Sequence, residues 1–480
     1  MTTTPAPHGP DDTPGTPAPP PGCPAHGVAP AALRRLYGAE AEADPRAMYE
    51  LLRKEHGPVA PVLLHGDLPA WLVLGHRENL EVMRAPSRFS NNSRLWSMFQ
   101  QGRVARNSPL LPMVGWQPIC VFADGADHER LRSAVRDGLE QFDRRGIRRY
   151  VIRYTNQLVD SFATSGQADL IGDFAEKLPM LVMTQLLGMP EEYGPRLVDA
   201  ALDLMKGSET ALESNELVVD TLRTLAERKK AKPGHDFTSW LIGHQADLDD
   251  DEVMEHLRLV LVAANETTVN LIANTLRLVL TDRRFRANLA GGHMTLPDAL
   301  EQVLWDEPPL SAITGRWATG DTVLGGQQIA QGDMLLLGLA AGNTDPAIRP
   351  DLDKPLLGNR AHLAFSSGPH ECPGQDIGRA IADTGIDTLL ARLPDLRLGV
   401  SEAELRTSAS WLSHRLESLP VRFTPPFKKV RAAAERSDEI ASTVPGALPA
   451  TVAVAPRPAP DAGSDGAPER TPWWKSLFRS

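Results

Sequence analysis

The segment with the most chemistry in it is Phe365-Ser366-Ser367-Gly368-Pro369-His370-Glu371-Cys372-Pro373-Gly374. A cysteine that serves as a thiolate ligand to iron needs a tightly turned loop whose backbone N–H groups aim at sulfur. Gly368 and Gly374 permit the turn and the close approach, and Pro373 stiffens it. N–H donors around the sulfur draw off charge and set the metal's potential. A lone cysteine in a turn is commonly a buried free thiol; a ten-residue arrangement carrying all of these parts is far more specific. Two further groups stand out. His128 and Arg132 are four residues apart on a predicted helix and share a face, which taken alone describes an ordinary solvated pair. Ala263-Ala264-Asn265-Glu266-Thr267-Thr268 lies in the middle of the longest helical candidate. There a threonine is commonly a back-bonding hydroxyl and a glutamate a solvated charge, although the apolar flanks argue against solvation of Glu266.

The elements that must position these groups are mostly helical. Ala126–Leu139, Ile147–Phe162, Leu178–Leu187 and Glu216–Lys229 place apolar residues at three- and four-residue spacing. The longest candidate follows the acidic run Asp249-Asp250-Asp251-Glu252, suited to a helix N-terminus, and continues without Gly or Pro to about Leu280. Between Asp321 and Leu337, Gly-Gly and Gly-Asp signals separate short apolar runs, as in small hairpins. Ser87–Pro118 is long and Pro-punctuated, which predicts an irregular functional loop. No internal repeat is present. The fold class this predicts is mainly α with a minor β part.

The chain has 480 residues, 42% of them hydrophobic, enough for a sizeable core. Its formal charge of -11 argues against a nucleic-acid partner while leaving room for a local basic patch. Three cysteines, Cys23, Cys120 and Cys372, make no disulfide framework, and a reducing cytoplasm fits. The N-terminus lacks the apolar core of a signal peptide, and no apolar run reads as a transmembrane segment. Residues 1–30 and 426–480 are rich in Pro, Ala, Thr and Gly and read as disordered tails around one body over 31–425. The second tail ends in Trp473-Trp474 with Leu477, Phe478, Lys475 and Arg479: a frayed end, or a docking peptide for a protein partner or a membrane surface.

The cysteine segment resembles the haem-binding loop of cytochromes P450, Phe-x-x-Gly-x-His-x-Cys-x-Gly, at every defining position. The resemblance covers about Ala31 to Pro425. It implies the cytochrome P450 fold, with haem b (iron protoporphyrin IX) between a long central helix and the cysteine loop, and Cys372 as the iron's axial ligand. It assigns Phe365, Gly368 and Gly374 to the loop around the cofactor. His128 and Arg132 match the family's His-x-x-x-Arg pair that holds the haem propionates, and Arg316 and His370 match two further contacts to them. Ala263 to Thr268 resembles the oxygen-activation stretch, with Glu266 and Thr267 as the catalytic proton relay and Ala264 where the family prefers Gly over a widened helix groove.

One departure is large. Upstream of Pro308-Pro309 the family has Glu-x-x-Arg, whose ion pair stabilises the haem core. Aligned on the prolines, this chain reads Gln302-Val303-Leu304-Trp305; shifted by one residue it reads Glu301 and Leu304. With both members replaced, the core is expected to rest on Trp305 packing and amide hydrogen bonds, and Arg360, the third member, needs a new partner. Ser366 also replaces a usual Gly. The resemblance implies a monooxygenase acting on an apolar small-molecule substrate, with electrons from a ferredoxin-type donor and its reductase. The lost pair and the two tails motivate an alternative, a non-catalytic haem protein in a regulatory or signalling complex. Candidate substrate-pocket walls are Trp96, Phe99, Met113, Trp116, Leu310 and Ile313, each of which is equally at home in an ordinary core.

Overall fold

The computed structural model describes residues 33–425, apart from 207–209, 293, 353, 355 and 357; the tails expected over 1–30 and 426–480, with the Trp473-Trp474 terminus, lie outside the described residues. Every helix-period segment of the sequence is a helix. Those that build the site are α1 (Gly125–Glu140), α2 (Arg144–Phe162), α3 (Leu178–Leu186), α4 (Asp250–Thr281), α5 (Leu296–Asp306) and α6 (Gln375–Arg392). Their starts are written in the sequence. Asp249 accepts the Glu252 N–H at 2.8 Å while the Glu252 carboxylate accepts the Asp249 N–H at 3.1 Å, a reciprocal capping box that opens α4. Thr295 and Asp298 do the same for α5, and Asp143 caps α2 by accepting the Gly146 N–H at 2.6 Å.

Unlike a surface helix, α4 has no continuous polar side. Half of its 32 residues are buried, including the unbroken run Thr268–Leu276. Helices that are apolar all round belong inside, and α4 packs against α3, α5 and α6 as the central element of the largest core cluster. By length and composition it would also pass for a membrane span, with a mean hydropathy of 1.2, which corrects the expectation that no apolar run is long enough; 67% of that window is buried inside the fold. Its apolarity is accounted for by helix packing.

The minor β part is a six-stranded sheet of β1 (Arg34–Arg35), β2 (Val59–Leu64), β3 (Leu68–Val73), β4 (Phe89–Ser90), β5 (Ile313–Ala318) and β6 (Met334–Leu337), in the order β1-β2-β3-β6-β5-β4. Antiparallel β2 and β3 set Val59 opposite Val73, and β3 runs parallel to β6. The register of β5 against β6 shifts between Ile313 and Arg316, where Gly315 has φ +102°. Such an irregularity re-aims the next side chain, here Arg316. The hairpin expected after Asp321 is present: Thr322–Leu324 pairs with Gln327–Ile329 across Gly325-Gly326, both at positive φ.

Ser87–Pro118 is more ordered than its composition predicts. It contributes edge strand β4 and short helical turns at Ser93–Leu95, Ser97–Gln100 and Leu111–Val114. Of the pocket walls proposed there, Trp96 is a core residue, only 1% exposed, whereas Phe99 and Trp116 are exposed and the Arg94 guanidinium lies 4.5 Å over the Trp116 ring.

One histidine ties this region to the central helix. His256 of α4, fully buried, keeps its Nδ1 2.6 Å from the Glu252 carbonyl and accepts the Cys120 N–H on Nε2 at 3.1 Å. Burial holds its imidazole below the ordinary histidine value, because a proton on Nε2 would strand the Cys120 donor. His128 is likewise held down to about 4, first by burial and then by the neighbouring His370 and Arg132. For both groups the folded chain binds fewer protons than the unfolded chain. The stability each contributes is therefore complete above about pH 6.5 and declines as pH falls below it, for His128 down to about 4. Thermal unfolding of the haem-free protein across that range should show a falling midpoint, and H256Q should flatten the slope.

Candidate active site

The cysteine loop is held by its own backbone. The Cys372 N–H donates to the Phe365 carbonyl at 2.8 Å, the Ser366 N–H to the Leu363 carbonyl at 2.8 Å and the Glu371 N–H to the Gly368 carbonyl at 3.0 Å. Gly368 sits at φ +73°, and a Cβ there would lie 2.7 Å from the Met83 carbonyl oxygen, so this turn admits only glycine. Arg84 Nε adds a bond to Ser367 Oγ at 3.0 Å. Past Gly374, which is its N-cap, the chain enters α6. Burial pushes the Cys372 thiol up, and the Gly374 N–H and the Arg132 and Arg379 cations pull the other way.

Ser366, where the family has Gly, is left-handed at φ +61°, and its buried hydroxyl has no hydrogen-bond partner. The strain is worth roughly 1–2 kcal/mol, against roughly 0.5–1 kcal/mol of extra unfolded-state entropy for glycine. S366G should therefore stabilise the protein by about 0.5–1 kcal/mol in denaturant unfolding.

A cavity of about 840 Å³ brings together His128, Arg132, Gly368, His370 and Cys372 of the predicted residues, together with Asp124. The His128 and His370 rings are 4.0 Å apart, and Arg132 donates to the Glu371 carbonyl. Asp124 escaped the sequence reading because an aspartate just before a helix looks like an N-cap. It makes no cap bond; it accepts the Ser90 hydroxyl and the Asn91 N–H, at 3.1 Å for the latter, with His370 Nε2 3.9 Å away. Burial works to raise its carboxyl, and His370 and Ser90 outweigh burial and hold it below the usual range.

Arg316 decides what this corner is for. It is 5% exposed, its one hydrogen bond runs from Nη1 to the Gly315 carbonyl at 2.9 Å, and among the described residues it has no carboxylate ion pair. Burial pushes its guanidinium down to about 10, with distant Asp124 only partly compensating. His128 Nε2 is buried without a partner as well. Protein interiors do not leave charges and donors stranded without cause.

On the other side, α4 turns Ala263 to open space in the middle of an otherwise buried helix, with Ala264, Glu266 and Thr267 half-buried beside it. Thr267 Oγ1 donates to the Ala263 carbonyl at 2.7 Å, the back-bonded state open to any helical threonine. The widened groove expected here is absent: α4 is regular α-helix throughout, and the π-turn among the described residues lies at Ile171–Ala175. Burial raises the Glu266 carboxyl, moderated by Arg415, which itself pairs with Glu176 at 3.2 Å. A Cβ on Gly378 would lie 3.8 Å from Thr268 Oγ1, so the first turn of α6 rests on this part of α4. Residues of α4 do not border the 840 Å³ cavity, nor do Phe365, Arg316 and Gly374.

The departure at α5 is rebuilt in two layers. As expected, Trp305 is buried and donates to the Asn359 carbonyl at 2.8 Å, and Gln302 bonds Asp306 and the Leu356 N–H. The expectation that the ion pair is gone is corrected. Glu301 is buried and accepts Arg379 Nε at 2.7 Å; His362 Nε2 lies 3.0 Å and Arg360 Nε 3.6 Å from its carboxylate. Burial alone would raise that carboxyl; His362 and Arg379 hold it at about 2. The sequence window missed this because the cation comes from α6, seven residues past Cys372.

A loop cysteine with free approach at Gly374, where an added Cβ would meet nothing within 4 Å, a stranded buried arginine, an orphaned histidine nitrogen and an open patch on α4 fit a planar iron cofactor with anionic side arms. No family profile matches the chain. It is 31% identical over 394 residues to 2-hydroxy-5-methyl-1-naphthoate 7-hydroxylase of Streptomyces carzinostaticus, covering 79% of this chain and 94% of that protein. With cytochrome P450 107B1 of Saccharopolyspora erythraea it shares 30% over 389 residues, 79% of this chain and 95% of the relative. The chain belongs to the cytochrome P450 family. The structure of CYP154C4 from Streptomyces sp. ATCC 11861 superposes with a TM-score of 0.72 at 29% identity, covering 80% of this chain and 97% of that one. This P450 has haem b as its cofactor and is a monooxygenase acting on a small molecule, so the regulatory alternative gives way.

Proposed function

We propose that Cys372 ligates the haem iron, that Arg132, Arg316, His128 and His370 hold the two propionates, and that Glu266 and Thr267 form the proton relay. The observation that carries this is Arg316, a buried cation with no carboxylate ion pair among the described residues, in a corner that also holds an orphaned His128 nitrogen. Phe365, Gly368 and Gly374 shape the loop against the cofactor, and Ala264 lines the distal helix. Haem b, when bound, supplies activation of O₂ with two electrons, one oxygen atom entering the substrate and the other leaving as water. Glu266, protonated more readily than an exposed carboxylate, passes its proton toward Thr267 Oγ1. Rotation of Thr267 out of its bond to the Ala263 carbonyl presents that hydroxyl to the open face of α4 at Ala263. The reading extends the catalytic unit over 31–425, in the cytoplasm, with an apolar substrate met by partly buried Leu310, Ile313 and Met113.

Electrons come, in this reading, from a ferredoxin-type donor and its reductase. Arg144, Arg145, Arg148 and Arg149 crowd the start of α2, and Arg136 and Arg144 line the cavity that holds Cys372, a charge suited to an acidic partner. The test is the carbon monoxide difference spectrum of the reduced protein. A band at roughly 450 nm is expected for thiolate ligation by Cys372. Absence of any haem signal, or a band at roughly 420 nm from freshly prepared protein, would overturn the ligand assignment.

A further inference from the structure

We propose that Arg379 is a positioning residue for the thiolate loop, tying both of its ends to the carboxylate buried in α5. The inference rests on Cys372 being the haem ligand. In the frame of Glu301 the position three residues on is Leu304, fully buried and apolar, so α5 supplies a carboxylate and no cation. Arg379 supplies it from the far side. Its Nε and Nη2 reach Glu301 Oε1 and Oε2 at 2.7 and 3.3 Å, a fork-to-fork pair. The same guanidinium lies 4.4 Å from the centre of the Phe365 ring, and its Nη1 donates to Gln375 Oε1 at 2.9 Å. Phe365 and Gln375 are the two ends of the cysteine loop: the Phe365 carbonyl accepts the Cys372 N–H, and Gln375 opens α6.

One planar cation thus clamps both ends of the loop to a carboxylate buried in α5. An arginine on α5 would fix the carboxylate but would not stand over Phe365. Lysine could keep the charge at Glu301 but not the fork or the flat stacking face. His362 completes the ring around Glu301 without reaching Gln375, and Arg360, 65% exposed, is peripheral.

The experiment compares R379Q, R379K, R360Q and the double variant E301Q/R379Q with the full-length parent. Readouts are haem affinity of the haem-free chain and the ratio of the 420 to the 450 nm carbon monoxide bands. R379Q should weaken haem binding and raise that ratio, each by about 10–100-fold, the range for a partner that orients a metal ligand. R379K should recover part of both, and R360Q should behave as the parent. E301Q/R379Q removes the stranded carboxylate, keeps the chain folded where R379Q does not, and should still show the raised ratio because the hold on Phe365 and Gln375 is lost. A parental ratio in R379Q or in the double variant overturns the proposal, as does R379K matching R379Q. Failure of the parent itself to give the 450 nm band strikes the ligand assignment instead.

Discussion

Replacing Arg316 by leucine is expected to stabilise the haem-free protein and to cripple its hold on haem. Among the described residues the buried guanidinium has a single backbone carbonyl as hydrogen-bond partner, and burial holds its pKa well below the ordinary arginine value, at about 10. At about 1.4 kcal/mol per tenfold, that burial costs roughly 3 kcal/mol, and R316L removes the cost. With haem present the account reverses, because a propionate would satisfy the charge. Deleting one member of a buried ion pair costs about 3–5 kcal/mol, so haem affinity should fall by about two to three orders of magnitude. Denaturant unfolding of the haem-free form and haem titration of the same preparation check the two signs. A variant that loses stability and keeps its haem affinity would show that Arg316 serves the sheet and not the cofactor.

The second expected effect is on turnover alone. Glu266 is half-buried on α4, and desolvation raises its carboxyl with Arg415 moderating the effect, so it holds a proton at higher pH than an exposed glutamate. E266Q keeps shape and hydrogen-bonding capacity but cannot give that proton up. General acid function contributes roughly 10²–10⁴-fold, and a loss in that range is expected in product formation with the 450 nm band unchanged. The folded form of the parent binds the proton more tightly than the unfolded form, so its stability declines as pH rises above about 4.3. The variant is free of that decline. E266Q should therefore be at least as stable as the parent at neutral pH, which separates a chemical defect from a folding defect.

The monooxygenase assignment and the correction at α5 bear on each other. Loss of both Glu-x-x-Arg residues in the aligned window was the motive for a non-catalytic reading. The structure keeps a buried carboxylate at Glu301 ringed by Arg379, His362 and Arg360, so a buried ion-pair cluster is present on α5 without its arginine. Removing one member of such a cluster would be costly.

What the sequence determined by itself was everything that depends on neighbours along the chain. Helix periodicity, the acidic helix start at Asp249 and the Gly-Gly hairpin turn all act over a few residues, and each is found where its pattern placed it. Tertiary structure alone decided which distant groups meet. Asp124 could not be read as the anchor of Ser90, Asn91 and His370 because these partners come from two segments distant from it in sequence. Arg316 follows the register shift between β5 and β6 at Gly315, but its burial without an ion pair among the described residues depends on which distant segments pack around it. Glu301 and Arg379, 78 residues apart, pair because α5 and α6 pack side by side, and a sequence window records spacing along the chain but not distance across the core.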